Sequence, residues 1–127
     1  MIFIFYKSNI KIVGISIKDK KNDQEEKVFK LAKDGCNYIQ CDEPKREDVL
    51  AFDDYVGDGY GVPTEGMIEA VKLMATKEGI LLDPVYSGKG FDGLQDLIAK
   101  KYFKNTDKLL FIHTGGAASL SAYEWAF

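Results

Sequence analysis

An α/β fold with a mostly parallel sheet and crossover helices is what this sequence predicts, on three observations. Lys11–Ile17 (KIVGISI) is nearly all apolar and rich in β-branched residues, the pattern of a strand buried on both faces. Thr64–Lys77 carries apolar residues at helical spacing behind a threonine suited to cap it. Along the whole chain the segments run strand, helix, loop, helix, strand, helix, strand, helix, the alternation that crossover connections require.

The elements follow in order. Lys18–Glu26 (KDKKNDQEE) is charged and reads as a loop running into a helix, with Asp23 as N-cap and Glu26 three residues on. Val28, Leu31 and Ala32 recur at helical spacing, and Gly35 is expected to end that helix. Cys36–Val49 is broken by Pro44 and fits no single period. Phe52–Pro63 (FDDYVGDGYGVP) holds three glycines, three aspartates and two tyrosines and is a loop. In Thr64–Lys77, residues Met67, Ile68, Val71, Leu73 and Met74 supply the apolar face, and Gly79 terminates it. Ile80–Leu82 is a short buried strand closed by Asp83-Pro84. Gly88–Gly90 turns into a helix from about Phe91 to Tyr102, with Phe91, Leu94, Leu97 and Ile98 at helical spacing. Lys108–His113 (KLLFIH) is another strand, and Gly115-Gly116 opens a final helix from Ala117 towards Phe127.

Composition narrows the function classes. The 127 residues are room for one domain of about 100–200 residues. Hydrophobic residues at 46% and charged residues at 29% exclude wholesale disorder. A net charge of −3 argues against a nucleic-acid footprint. The apolar runs fall far short of the roughly 20 residues that span a bilayer. Met1–Tyr6 lacks the flanks of a signal peptide. Cys36 and Cys41 are neither a CxxC pair nor a disulfide framework, and His113 is the only histidine, so no histidine-based metal cluster is possible. A reducing cytoplasm is the expected location, with no membrane or nucleic acid as partner.

In a parallel α/β sheet, ligands sit outside the carboxyl ends of the strands. That rule selects the segment after Ile17, Asp83–Lys89 and His113–Ala118. His113 and Thr114 precede a glycine pair that opens a helix, where free N–H groups favour anions or a polar ring atom. The same glycines also suit a plain tight turn. Tyr86 can hold or pass a proton and Ser87 can hydrogen-bond a ring nitrogen, or the two simply form a packed loop tyrosine beside a Ser-Gly turn. Tyr60 lies between glycines that let the backbone approach a ligand or merely shape a loop. Asp53 and Asp54 read as solvated loop acids, Lys18, Lys20 and Lys21 as a solvated charge run, and Met67, Leu73 and Met74 as core. The motifs GxxxxGK[ST], HExxH and GxSxG are all absent.

KIVGISI, EEKVFKLAKDG, DDYVGDGYGVPTEG, GILLDPVYSGKGFDGLQDLI and LLFIHTGGAASLSAY, in that order, resemble the C-terminal part of the D-cysteine desulfhydrase and 1-aminocyclopropane-1-carboxylate deaminase family. These are pyridoxal-phosphate enzymes of the tryptophan-synthase β-like fold. The resemblance covers most of the chain from about Asn9 and implies a partial domain of that fold. It implies that Tyr60 and Tyr86 are active-site tyrosines flanking the substrate, and that Ser87 and Thr114 border the cofactor's pyridine nitrogen. The deaminase branch typically has glutamate and leucine at these last two positions. Two small hydroxyl residues resemble the desulfhydrase branch, where threonine is usual at the first. A hydroxyl does not enforce a protonated ring as a carboxylate would. The implied reaction converts D-cysteine to pyruvate, hydrogen sulfide and ammonia. The alternatives are aminocyclopropane-carboxylate deamination and a non-catalytic α/β remnant.

The same resemblance marks what this sequence lacks. Family members carry the cofactor-binding lysine in an early GGNK-like motif and hold the phosphate on a GSGGT-type loop, and neither motif occurs here. Lys89 matches a family position that is not the cofactor-binding one. Residues 1–127 are therefore expected to be the C-terminal segment of such an enzyme, with Met1–Ser8 starting inside a helix. Its expected partners are an amino-acid substrate and an N-terminal half or a second copy. Alone it is expected to hold pyridoxal phosphate weakly, to be inactive, and to expose apolar surface.

Overall fold

The computed structural model describes residues 10–105 and 107–127. The expectations for Met1–Tyr6 and Met1–Ser8 lie outside the described residues. The chain is α/β. Strand β1 (Gly14–Ile15) pairs in parallel with β2 (Ala51–Phe52), in the register Gly14 to Ala51 and Ile15 to Phe52. Gly14 N–H donates to Leu50 O at 2.9 Å and Ser16 N–H to Phe52 O at 2.8 Å, extending the ladder at both ends. The crossover between them is helix α1 (Lys21–Ile39), followed by a 3-10 turn at Arg46–Asp48.

Helix α1 departs from the sequence reading at both ends. It starts at Lys21, not after Asp23, because a loop carboxylate caps it. Asp53 Oδ2 accepts from Lys21 N–H at 3.0 Å, so Asp53 is a structural acid and not a solvated one. The helix also runs through Gly35 and stops at Gln40, which takes the left-handed conformation (φ 55°) while Cys41 N–H returns to Cys36 O. Leu31 and Val28 are exposed, and the buried positions are Glu25 and Cys36. Glu25 docks α1 against β2, accepting from Ala51 N–H at 2.9 Å and from Arg46 at 3.2 Å. The Ala51 N–H bond, with help from Arg46, holds its carboxyl below the ordinary range despite burial.

Helix α2 (Glu65–Glu78) matches its signals. Thr64 Oγ1 accepts from Met67 N–H at 3.2 Å, and Gly79 ends the helix at φ 67°. Met67 and Val71 pack with Leu82 as the buried core, flanked by Ile68, Met74, Phe91, Phe111 and Leu120. Leu73, expected on that face, is instead partly exposed. Helix α3 (Ser87–Ala99) starts four residues earlier than expected and lies against α2. A Cβ at Gly88 would stand 2.9 Å from Met67 Cγ and from Val71 Cγ2, so this glycine sets how closely the helices approach.

The expected strands at 80–82 and 108–113 are not formed, and neither segment makes a ladder among the described residues. What joins them is a side chain, His113 Nε2 to Leu81 O at 3.0 Å. The expected last helix is a 3-10 helix over Ala117–Ala126, kinked at Tyr123.

Candidate functional site

The site is built on the turn that starts α3. Asp83 is fully buried, and its carboxylate collects the free N–H groups of the helix start. Oδ2 accepts from Val85 N–H at 2.8 Å and Tyr86 N–H at 2.7 Å, and Oδ1 accepts from Ser87 N–H at 2.7 Å. These are the donors a helix leaves unsatisfied, and they are why α3 begins at Ser87. Ser87 Oγ donates to Asp83 Oδ1 at 2.6 Å and accepts from Asp83 N–H at 2.8 Å. Burial pushes the Asp83 carboxyl up, and the bonds from Ser87, Tyr86 and Val85 outweigh it, leaving the group below its ordinary range.

That turn aims Tyr86 outward. Its hydroxyl meets the hydroxyl of Tyr60, 26 residues earlier, in a hydrogen bond. The rings stand edge to face with centroids 6.0 Å apart. Both tyrosines are about half exposed, at 48% and 50%. The bond to Tyr60 raises the Tyr86 phenol above its ordinary value. Lys18, on the segment after β1, places its ammonium 5.9 Å from the Tyr60 ring centroid.

The loop carrying Tyr60 is fastened from two sides. Lys89 in the first turn of α3 is wholly buried, and its Nζ donates to Val56 O at 2.6 Å and Gly59 O at 3.1 Å. Tyr123 OH donates to Gly61 O at 2.9 Å.

Thr114 is exposed and belongs to the segment that returns onto the same turn. His113 Nδ1 accepts from Gly115 N–H at 3.0 Å, which leaves the ring proton on Nε2, donated to Leu81 O. Gly116 has φ 97°, and a Cβ there would lie 2.8 Å from Asp83 Cγ. The His-Thr-Gly-Gly segment therefore seats directly on Asp83.

The structure thus gathers Tyr60 and Tyr86 into contact, with Ser87 next in the chain and Thr114 two residues from a glycine packed on Asp83. Ser87 is oriented differently from the sequence reading. Its proton is engaged by Asp83, and one acceptor lone pair remains. Asp83 and Lys89 escaped the sequence reading as anchors. The first was visible only as the Asp of Asp-Pro four residues before a serine, and the second as a lysine inside an apolar turn.

The sequence pattern of the family described as pyridoxal-phosphate dependent enzyme matches residues 3–115. The chain belongs to that pyridoxal-phosphate-dependent enzyme family. Its fold is similar to that of a solved structure titled "Crystal Structure Analysis of the ACC deaminase homologue", with a TM-score of 0.84 and 31% identity. That match covers 97% of this chain and 37% of the other, so the pyridoxal-phosphate family member seen here spans little more than a third of its relative's length.

The donor set fits one side of the cofactor. Uncharged hydroxyls, the Gly115-Gly116 backbone and a carboxylate already saturated by its own helix suit a planar aromatic ring and a small amino acid beside it. The buried Lys89 amine, committed to two carbonyls, does not fit the role of a cofactor-carrying lysine.

Proposed function

We propose that residues 1–127 form the C-terminal, substrate-facing segment of a D-cysteine desulfhydrase, a pyridoxal-phosphate enzyme that eliminates sulfide from D-cysteine. The observation that carries this reading is the Tyr60–Tyr86 hydroxyl pair, assembled from two distant loops at the mouth of the α3 turn. Pyridoxal phosphate, when bound, supplies the electron sink that lets the α-proton of an amino acid leave.

The two phenols hold the protons this chemistry needs. Of two hydroxyls sharing one hydrogen bond, one proton is used within the pair and the other is free to be donated. The free phenol proton would pass to the departing hydrosulfide as the Cβ–S bond breaks, and the phenolate left behind would regain a proton from the base that had accepted the α-proton. Water then completes the balance, D-cysteine plus water giving pyruvate, hydrogen sulfide and ammonia. Thr114 would border the ring nitrogen with an uncharged hydroxyl, and Ser87, whose proton Asp83 holds, would offer it only an acceptor lone pair. A partner segment contributes the cofactor-carrying lysine and the phosphate loop.

The second reading is an aminocyclopropane-carboxylate deaminase. It is favoured by the likeness to a structure titled as a homologue of that enzyme. The test is a complete enzyme in which this segment is joined to an N-terminal part carrying the lysine and phosphate loop. Sulfide release from D-cysteine is expected to exceed ammonia release from 1-aminocyclopropane-1-carboxylate. Ser87→Glu combined with Thr114→Leu is expected to move activity towards ring opening. Faster ring opening by the unmodified segment selects the deaminase, and no shift in the double variant means these two positions do not choose the substrate.

A further inference from the structure

A lysine side chain with no exposed surface is costly to hold unless it has a task. Lys89 is such a residue, and its partners are two carbonyl oxygens instead of a carboxylate. Both carbonyls belong to one loop, and Gly59 immediately precedes Tyr60. Tyr86 stands three residues before Lys89, at the start of the same helix. One turn of α3 therefore presents a phenol outward and sends an ammonium inward to grip the loop that supplies the second phenol.

We propose that Lys89 is a positioning residue that fixes Tyr60 against Tyr86. An ammonium carries three donors in any rotation about its stem, so it can bind two carbonyls whose spacing a rigid side chain would not match. Carbonyls accept a charged donor more strongly than a neutral one. Desolvation works to lower the Lys89 amine, with the nearby Asp58 charge opposing it, and the neutral amine still keeps two N–H donors. The other fastening, from Tyr123 to Gly61 O, lies beyond Tyr60. Tyr60 is thus bracketed, with Lys89 holding the side that leads into it.

This inference rests on the reading of Tyr60 and Tyr86 as the proton-handling pair, but its test uses neither cofactor nor substrate, so the two fail separately. In the 127-residue chain at neutral pH, Lys89→Met is expected to raise amide exchange across 53–62 by about tenfold while α2 changes by less than about twofold. Lys89→Arg, which keeps charged donors, is expected to restore most of that protection. Tyr60→Phe leaves Lys89 in place and is expected to keep the loop within about twofold of its protection. In ultraviolet titrations read as the difference from Tyr86→Phe, Lys89→Met is expected to lose the upward shift of Tyr86 that Lys89→Arg retains, and a shift unchanged in Lys89→Met overturns the proposal. Unchanged loop exchange in Lys89→Met, or equal loosening of the loop and α2, overturns the proposal. So does release of the loop by Tyr60→Phe, an outcome that stays readable even where Lys89→Met fails to fold.

Discussion

At the scale of single residues, Asp83 does more than its place in a strand-closing Asp-Pro pair suggests. Its carboxylate answers three backbone N–H groups and one hydroxyl, and Gly116 rests on its side chain. Asp83→Ala strands four donors in a closed turn, and a loss of about 2–4 kcal/mol in unfolding free energy is expected by urea denaturation. The pH dependence follows from the same bonds. Its carboxyl sits lower folded than unfolded, so its contribution is complete above the ordinary carboxylate range. It is lost as pH falls through that range towards the lower folded value. Melting followed downward from neutral pH is expected to show a loss that Asp83→Asn removes. An acid profile identical in that variant contradicts the assignment. Tyr60 and Tyr86 were singled out by the resemblance, because from the residues alone each could equally be a packed loop tyrosine. Asp83 and Lys89 were not, because a carboxylate that caps its own turn and a lysine that points inward leave no periodic trace.

At the scale of elements, legibility tracked how locally each end is made. Helix α2 carries its N-cap, apolar face and left-handed glycine within its own residues, and all three function as read. Helix α1 is started by Asp53 from a loop 32 residues away and passes through its expected glycine stop, so its ends were misplaced. For helix α3 the sequence reads Gly88–Gly90 as a turn and a start at about Phe91, whereas the helix begins at Ser87. Gly88 is tolerated there because close packing on Met67 and Val71 offsets its poor helix propensity. This yields a prediction with an unusual sign. Gly to Ala within a helix normally stabilises by about 0.4–1 kcal/mol. Here the added methyl meets Asp83 O at 2.6 Å and the two core side chains, so Gly88→Ala is expected to destabilise by about 1–3 kcal/mol. Thermal melting that shows Gly88→Ala unchanged or more stable would mean that α2 and α3 can move apart at little cost.

At the scale of the whole molecule, the described residues form only a two-stranded ladder in an α/β fold. Two more apolar segments, 80–82 and 108–113, make no ladder among the described residues; each sends one side chain into the core, Leu82 and Phe111, and others outward. Leu110 is 82% exposed, Ile112 66% and Leu81 53%. Backbone without ladder partners beside exposed aliphatic residues is open to pairing with another chain. The same residues fit the fold class well, since a parallel sheet needs apolar strands covered on both faces. The fold class was therefore readable from composition and alternation, whereas the ladder partners of 80–82 and 108–113 were not, because no residue in those segments specifies its neighbour. The isolated chain is expected to associate through this surface, with a scattering mass that rises with concentration. Leu110→Lys together with Ile112→Lys should suppress that rise by charge repulsion along the edge. Both side chains are largely solvated already, so unfolding free energy should change by less than about 0.5 kcal/mol each. A single mass across the whole concentration range would show that the outward aliphatic residues are no docking edge. Association undiminished in the double variant would assign it to another face, of which the exposed Trp125 and Tyr38 mark the next to alter.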